Sequence, residues 1–221
     1  MKKEPFDIDI VMEQLAQAVQ PYAKAALFEL AEEGYNTPFE QLLACVISIR
    51  TYDEVTVRVA RELFVQASTP EGILALPVEA IGELIQTSTF HERKAEQIRQ
   101  IAQIVMDQYD GELPCDQEAL LALPGIGVKC ANLILGIACG QLRISVDVHV
   151  DRVTNRWGYV QTRGPEKTLE ALEQKLSERY AVEINRLLVP FGKHICTGNL
   201  PRCSTCPVLP MCRQVGVKAH R

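Results

Sequence analysis

Hydrophobic positions recur every three to four residues along nearly the whole chain, the spacing of one face of an α-helix, and stretches alternating apolar with polar residues are scarce. DIDIVMEQLAQAVQPYAKAALFELAEEG reads as helix interrupted near Pro21 and ended by Gly34. TPFEQLLACVISI follows, with Thr37 as N-cap, Pro38 at the first helical position and Glu40 closing a capping box. TYDEVTVRVARELFVQA comes next, then short pieces around TPEGILAL and PVEAIGELIQTS. HERKAEQIRQIAQIVMDQYDG is a long amphipathic helix with Ile98, Ile101, Ile104 and Val105 among its apolar positions. CDQEALLAL leads into LPGIG, and VKCANLILGIACG resumes helix at once. Beyond the linker QLRIS stand VDVHVDRVTNRWGYV, PEKTLEALEQKLSERY and VEINRLLVPFGKHIC. The pattern predicts an all-α fold of stacked helical hairpins with short loops. Its periodicity is weakest near residues 30 and 141, which suggests two lobes.

The 221 residues suffice for one sizeable core or two small ones. No apolar run approaches the roughly 20 residues of a membrane span. MKKEPFDIDI lacks the apolar stretch of a secretory signal, so the cytoplasm, or the nucleoid within it, is the expected compartment. The net charge of −5 argues against nucleic acid until it is divided. Residues 1–110 carry nine Lys/Arg and eighteen Asp/Glu, whereas residues 111–221 carry fourteen and ten. The second half can therefore present a positive surface to a duplex, with modest, steeply salt-sensitive affinity. Nothing in the sequence demands an oligomer, and a monomer is expected.

Four of the eight cysteines crowd the carboxy-terminal tail, with Cys196, Cys203, Cys206 and Cys212 spaced C-x6-C-x2-C-x5-C. In a chain that reads as intracellular, this favours a local metal site over a disulfide framework. Four thiolates suit an iron–sulfur cluster or structural zinc, and unliganded thiols remain the third option. Cys45, Cys130 and Cys139 sit among apolar residues and read as lone buried thiols, so the chain is expected to fold without disulfides. Asn199 and Arg202, with Lys193 and His194 upstream, form a loop that can meet a phosphate backbone or stay merely solvated.

ALLALPGIGVKCANLIL carries the second strong signal. Gly125 and Gly127 permit a tight turn around Ile126 and leave amide groups open at the next helix start, where a phosphate docks without reading sequence. Paired glycines also occur in plain helix turns. Lys129 lies in the first turn of an otherwise apolar helix, where the positive end of the dipole favours the neutral, nucleophilic amine that Schiff-base chemistry needs. Contact with phosphate, or extension into solvent, is the plainer reading. Asp147 falls at the next helix start and can cap it while offering one oxygen outward. His149 and Asp151 complete a D-x-H-x-D spacing, but nothing else in the sequence completes a metal site there.

LPGIGVKCANLIL, VDVHVDRV and the cysteine tail, in this order, together resemble the endonuclease III family of DNA glycosylases in the helix-hairpin-helix superfamily, over roughly residues 30 to 213. The resemblance implies a two-lobed helix-hairpin-helix fold with a DNA groove between a six-helix domain, 31–141, and a cluster domain of 1–30 plus 142–221. It implies a bifunctional glycosylase and abasic-site lyase acting on double-stranded DNA with a damaged or abasic site. It also implies Lys129 as nucleophile, Asp147 as essential carboxylate and a four-iron four-sulfur cluster on Cys196, Cys203, Cys206 and Cys212. The chain departs from the family where S-x-Q-x-T-D becomes SIRTYD, and where G-L-Y-N-S-K-A becomes TFHERKA. These changes put Arg50 and Tyr52 opposite the flipped base, Phe90 as an apolar wedge, and His91, with His149, beside the lesion pocket. The added bulk leaves open a mismatch or uracil glycosylase, or mainly a lyase. A non-catalytic DNA-binding module with a structural metal would need neither Lys129 nor Asp147.

Overall fold

The computed structural model describes residues 3–221, and Met1 and Lys2, part of the segment read above for a secretory signal, lie outside the described residues. The helices are α1 Ile8–Ala18, α2 Ala26–Glu32, α3 Pro38–Ser48, α4 Asp53–Gln66, α5 Pro70–Ala75 and α6 Val78–Leu84. They continue with α7 His91–Tyr109, α8 Gln117–Ala122, α9 Val128–Ile137, α10 Val148–Trp157, α11 Pro165–Glu173 and α12 Glu183–His194. The chain divides into two compact units, Ala25–Arg143 and Met1–Lys24 with Ile144–Arg221. The first holds α2–α9 and the second α1 and α10–α12. No helix among the described residues is long and apolar enough to cross a membrane.

Local sequence explains most boundaries. The carboxylate of Asp7 starts α1 by accepting from the Asp9 and Ile10 amides at 2.9 and 3.3 Å. The interruption expected near Pro21 spans residues 19–25. Thr37 and Glu40 form the reciprocal capping box, with Pro38 opening α3, and such a cap is worth about 1 kcal/mol. In α7, Ile98, Ile101 and Val105 are fully buried. The core of the Ala25–Arg143 unit is built on α3 and α9, whose residues Phe39–Ile47 and Cys130–Gly136 are all buried. The other unit packs around Trp157, whose ring centroid lies 5.7 Å from that of Phe6 and 6.4 Å from that of Phe191.

The cysteines depart from expectation. Cys45 is joined to Cys130, linking α3 to α9, and Cys115 to Cys139, linking the residues that flank the α8–α9 hairpin. The chain thus carries disulfides where lone thiols were expected: helix packing brings residues 85 and 24 positions apart together, and no spacing rule reveals such pairs.

The four-iron four-sulfur cluster expected on Cys196, Cys203, Cys206 and Cys212 is corrected. All four are free thiols, and among the described residues no group of three or more His, Cys, Asp or Glu side chains is arranged to hold a metal. Ligation requires thiolate. Here the tail sulfurs line a small cavity with Trp157, Phe191 and Val208. Burial raises the Cys196 and Cys212 thiols and pushes Cys206 up to about 12, which disfavours their thiolate forms. The tail is therefore a thiol-lined loop, not a cluster loop, and no chemistry below passes through a cluster.

This arrangement fixes a thiol count. Denatured but unreduced protein should expose four reactive thiols of the eight cysteines, and all eight after reduction. Eight thiols before reduction would refute the pairing, and the visible absorbance of an iron–sulfur chromophore in the native protein would refute the free-thiol tail.

Candidate active site

The hairpin between α8 and α9 is shaped by three residues. Gly125 adopts φ +74°, and a Cβ there would come within 2.6 Å of Gln97 Nε2. That same Nε2 donates to the Pro124 carbonyl at 2.7 Å, so α7 holds the turn from beneath. Ile126 is buried and anchors the loop, while its amide donates to the Leu123 carbonyl at 3.3 Å. Gly127 differs from what was expected. Its φ of −107° suits any residue, and a Cβ would meet nothing within 4 Å. Glycine at 127 therefore leaves open space in front of the backbone.

No side chain caps α9, so the amides of its first turn face that open space. Val128 and Lys129 are exposed, and burial begins at Cys130. The turn combines uncapped amides, the positive end of a helix dipole and a primary amine, a combination that can seat an anion and attack an electrophilic carbon beside it.

In the other unit, Asp147 is the N-cap of α10. Its Oδ1 accepts from the His149 and Val150 amides, each at 2.9 Å. The cap engages Oδ1, leaving Oδ2 outside it, and the residue is half-buried. His149 is built into packing. Its Nδ1 lies 3.0 Å from Arg152 Nη2, and a Cβ at residue 192 would approach Nδ1 to 2.7 Å. Asp151 Oδ1 accepts from Thr168 Oγ1 at 2.6 Å and Asn155 Nδ2 at 3.2 Å, so the D-x-H-x-D spacing serves helix packing. Arg152 donates to the carbonyls of Gly192 and Cys196 at 2.9 and 3.2 Å, and Arg156 to those of Thr197 and Gly198 at 2.6 and 2.8 Å. Lys193 lies in the last turn of α12, and Arg202 is exposed on the tail loop.

Two turns in the Ala25–Arg143 unit carry the remaining expected residues. Arg50 and Phe90 both adopt left-handed backbone, at φ 54° and 58°, and the Arg50 guanidinium lies 6.0 Å from the Phe90 ring centroid. Tyr52 is 78% exposed and Phe90 54%, so both rings stand in solvent. His91 opens α7 and lines a cleft with Glu79, Glu83, Glu92 and Glu96. The residue that sequence reasoning missed is Lys94. Its buried ammonium donates to the carbonyls of Ile47 and Ile49 and to Thr51 Oγ1, at 2.7, 2.8 and 2.9 Å. Burial lowers it to about 8. A signal existed, because Lys94 falls four residues before Ile98 on the apolar stripe of α7, and a charge there implies a partnered burial.

Residues 43–178 match the HhH-GPD superfamily of base excision DNA repair proteins. The chain is 40% identical over 169 residues to endonuclease III of Thermotoga maritima, covering 76% of this chain and 79% of that protein. It is 34% identical over 181 residues to endonuclease III of Escherichia coli K12, covering 82% and 86%. Its fold is similar to that of a trapped endonuclease III–DNA covalent intermediate, with a TM-score of 0.81 at 29% identity and 94% of each chain covered.

The two glycines should separate by stability. Gly125→Ala should lower the midpoint of thermal unfolding, by a destabilisation of about 1 kcal/mol or more, because both φ and Gln97 oppose a side chain. Gly127→Ala should leave the midpoint unchanged. Calorimetry of the two variants checks this, and equal losses would show that the open space before Gly127 is misplaced.

Proposed function

The chain belongs to the HhH-GPD superfamily of base excision DNA repair proteins, and from that membership we propose that it removes a damaged pyrimidine from duplex DNA and then nicks the strand through a lysine Schiff base. The observation that carries the residue assignment is the uncapped, exposed first turn of α9 with Lys129 upon it. The amides beyond Gly127 take a phosphate of the duplex, with Gly125 and Ile126 fixing the turn that presents them. Arg202 and Lys193 add backbone contacts whose strength falls as salt rises.

The damaged nucleotide leaves the stack at a cost of a few kcal/mol, which damage reduces. Arg50, Tyr52 and Phe90 fill the gap it vacates, as inserted side chains do in other distorted duplexes. The Lys129 amine attacks the sugar C1′, and the glycosidic bond breaks with its electron pair going to the departing base, which takes up a proton. The Asp147 carboxylate, through the oxygen outside its cap, accepts the lysine proton or offsets the cationic sugar. Ring opening gives a protonated Schiff base, and loss of a C2′ proton expels the 3′ phosphate by β-elimination. Hydrolysis of the imine returns the amine. A lysine nucleophile joins excision to nicking, whereas attack by water would stop at the abasic site.

Single-turnover assays on a duplex containing thymine glycol test this. Lys129→Ala should abolish both base release and nicking while duplex binding persists. Asp147→Asn keeps a side-chain oxygen for the α10 cap, so the unfolding midpoint should hold while excision falls by about 100-fold or more. Base release that survives Lys129→Ala would contradict the lysine mechanism, and an Asp147→Asn variant that loses stability but not rate would reduce Asp147 to a cap.

A further inference from the structure

We infer that Lys94 is a positioning residue for nucleotide eversion: its ammonium ties the 48–52 turn to the start of α7, so that Arg50 and Phe90 act as one rigid wedge. The inference rests on the proposed role of Arg50, Tyr52 and Phe90 in the gap, and adds to it what holds them there.

Two features of the geometry point to Lys94. Arg50 and Phe90 are non-glycine residues in left-handed backbone, a conformation that persists only where surroundings over-determine it. The surrounding bonds converge on one side chain. All three N–H donors of the Lys94 ammonium have an oxygen partner, and the partners Ile47, Ile49 and Thr51 bracket Arg50. The Lys94 amide also donates to the Phe90 carbonyl at 3.1 Å. Thr89 straps the same two segments, its Oγ1 donating to the Arg50 carbonyl at 2.8 Å and its amide to Thr51 Oγ1 at 3.2 Å.

The chemistry of the partners suits a clamp. All three are uncharged oxygens, so the ammonium is held by geometry, with no counter-ion to follow if the turn shifts. Lys94 is 4% exposed and cannot itself touch DNA. Its effect on the reaction must pass through the exposed side chains it holds. A wedge that must enter a duplex against stacked bases needs both of its side chains placed together, and displacement by an ångström costs on the order of 100-fold in rate. The clamp also accounts for left-handed backbone at two exposed positions, Arg50 and Phe90, on either side of the bonds that Lys94 makes.

The test uses the full chain and a duplex with 2-aminopurine beside a thymine glycol, so that fluorescence reports eversion separately from chemistry. Lys94→Met should lose the fluorescence rise and slow base release by about 100-fold. Nicking of single-stranded abasic DNA, which needs no eversion, should fall far less. Lys94→Arg restores long-reach donors and should recover part of the signal. Phe90→Ala is the control on the underlying reading. If Phe90→Ala abolishes the rise and a folded Lys94→Met leaves it intact, Lys94 is no positioning residue. If Phe90→Ala also leaves it intact, the wedge itself is misassigned and the inference falls with it. Should Lys94→Met fail to fold, Thr51→Val removes the Oγ1 that accepts from both Lys94 and the Thr89 amide, and an undiminished fluorescence rise in that variant overturns the proposal.

Discussion

The rest of the Ala25–Arg143 unit depends on the burial of α9. Seven consecutive residues, Cys130–Gly136, are buried on every side, so the helix has little freedom to translate or rotate within a close-packed interior. Its first turn, with Val128 and Lys129, remains exposed. A helix fixed along its length presents its uncapped amino end at one place, and that is what a nucleophile needs, because placement before reaction removes much of the entropic barrier. The Gln97 bond to Pro124 and the left-handed Gly125 aim the turn, and the core immobilises it.

The two units serve the proposed chemistry differently. The Ala25–Arg143 unit carries amine, amides and wedge. The other carries the Asp147 carboxylate, and two of its arginines are occupied internally: Arg152 and Arg156 donate to carbonyls of Gly192, Cys196, Thr197 and Gly198. The positive balance of the second half therefore overstates the cations that can meet phosphate. The free tail thiols fit this picture of a loop held by arginine–carbonyl bonds and apolar contact.

Much of this was legible in sequence because it is local. The Thr37–Glu40 capping box, the break near Pro21, the LPGIG turn and the cap at Asp147 each depend on residues within a few positions of one another, where backbone propensity and capping act. Long-range features were not legible. The joining of Cys45 to Cys130 and of Cys115 to Cys139 arises from helix packing, and the tail spacing, which suggested a cluster, belongs to free thiols. Gly127 shows a subtler failure. Composition suggested a turn requirement, yet its backbone is ordinary and only the space before it is special. Lys94 was readable in principle as a charge on an apolar stripe, but its three oxygens lie 43 to 47 residues away.

The proposed chemistry stands on a covalent bond between Lys129 and DNA. Borohydride reduction during reaction with a damaged duplex, followed by proteolysis and mass spectrometry of the adduct, locates that bond. One modified peptide is expected, carrying the sugar remnant on Lys129. A remnant on another residue, or base release with no adduct at all, would rule Lys129 out as the nucleophile.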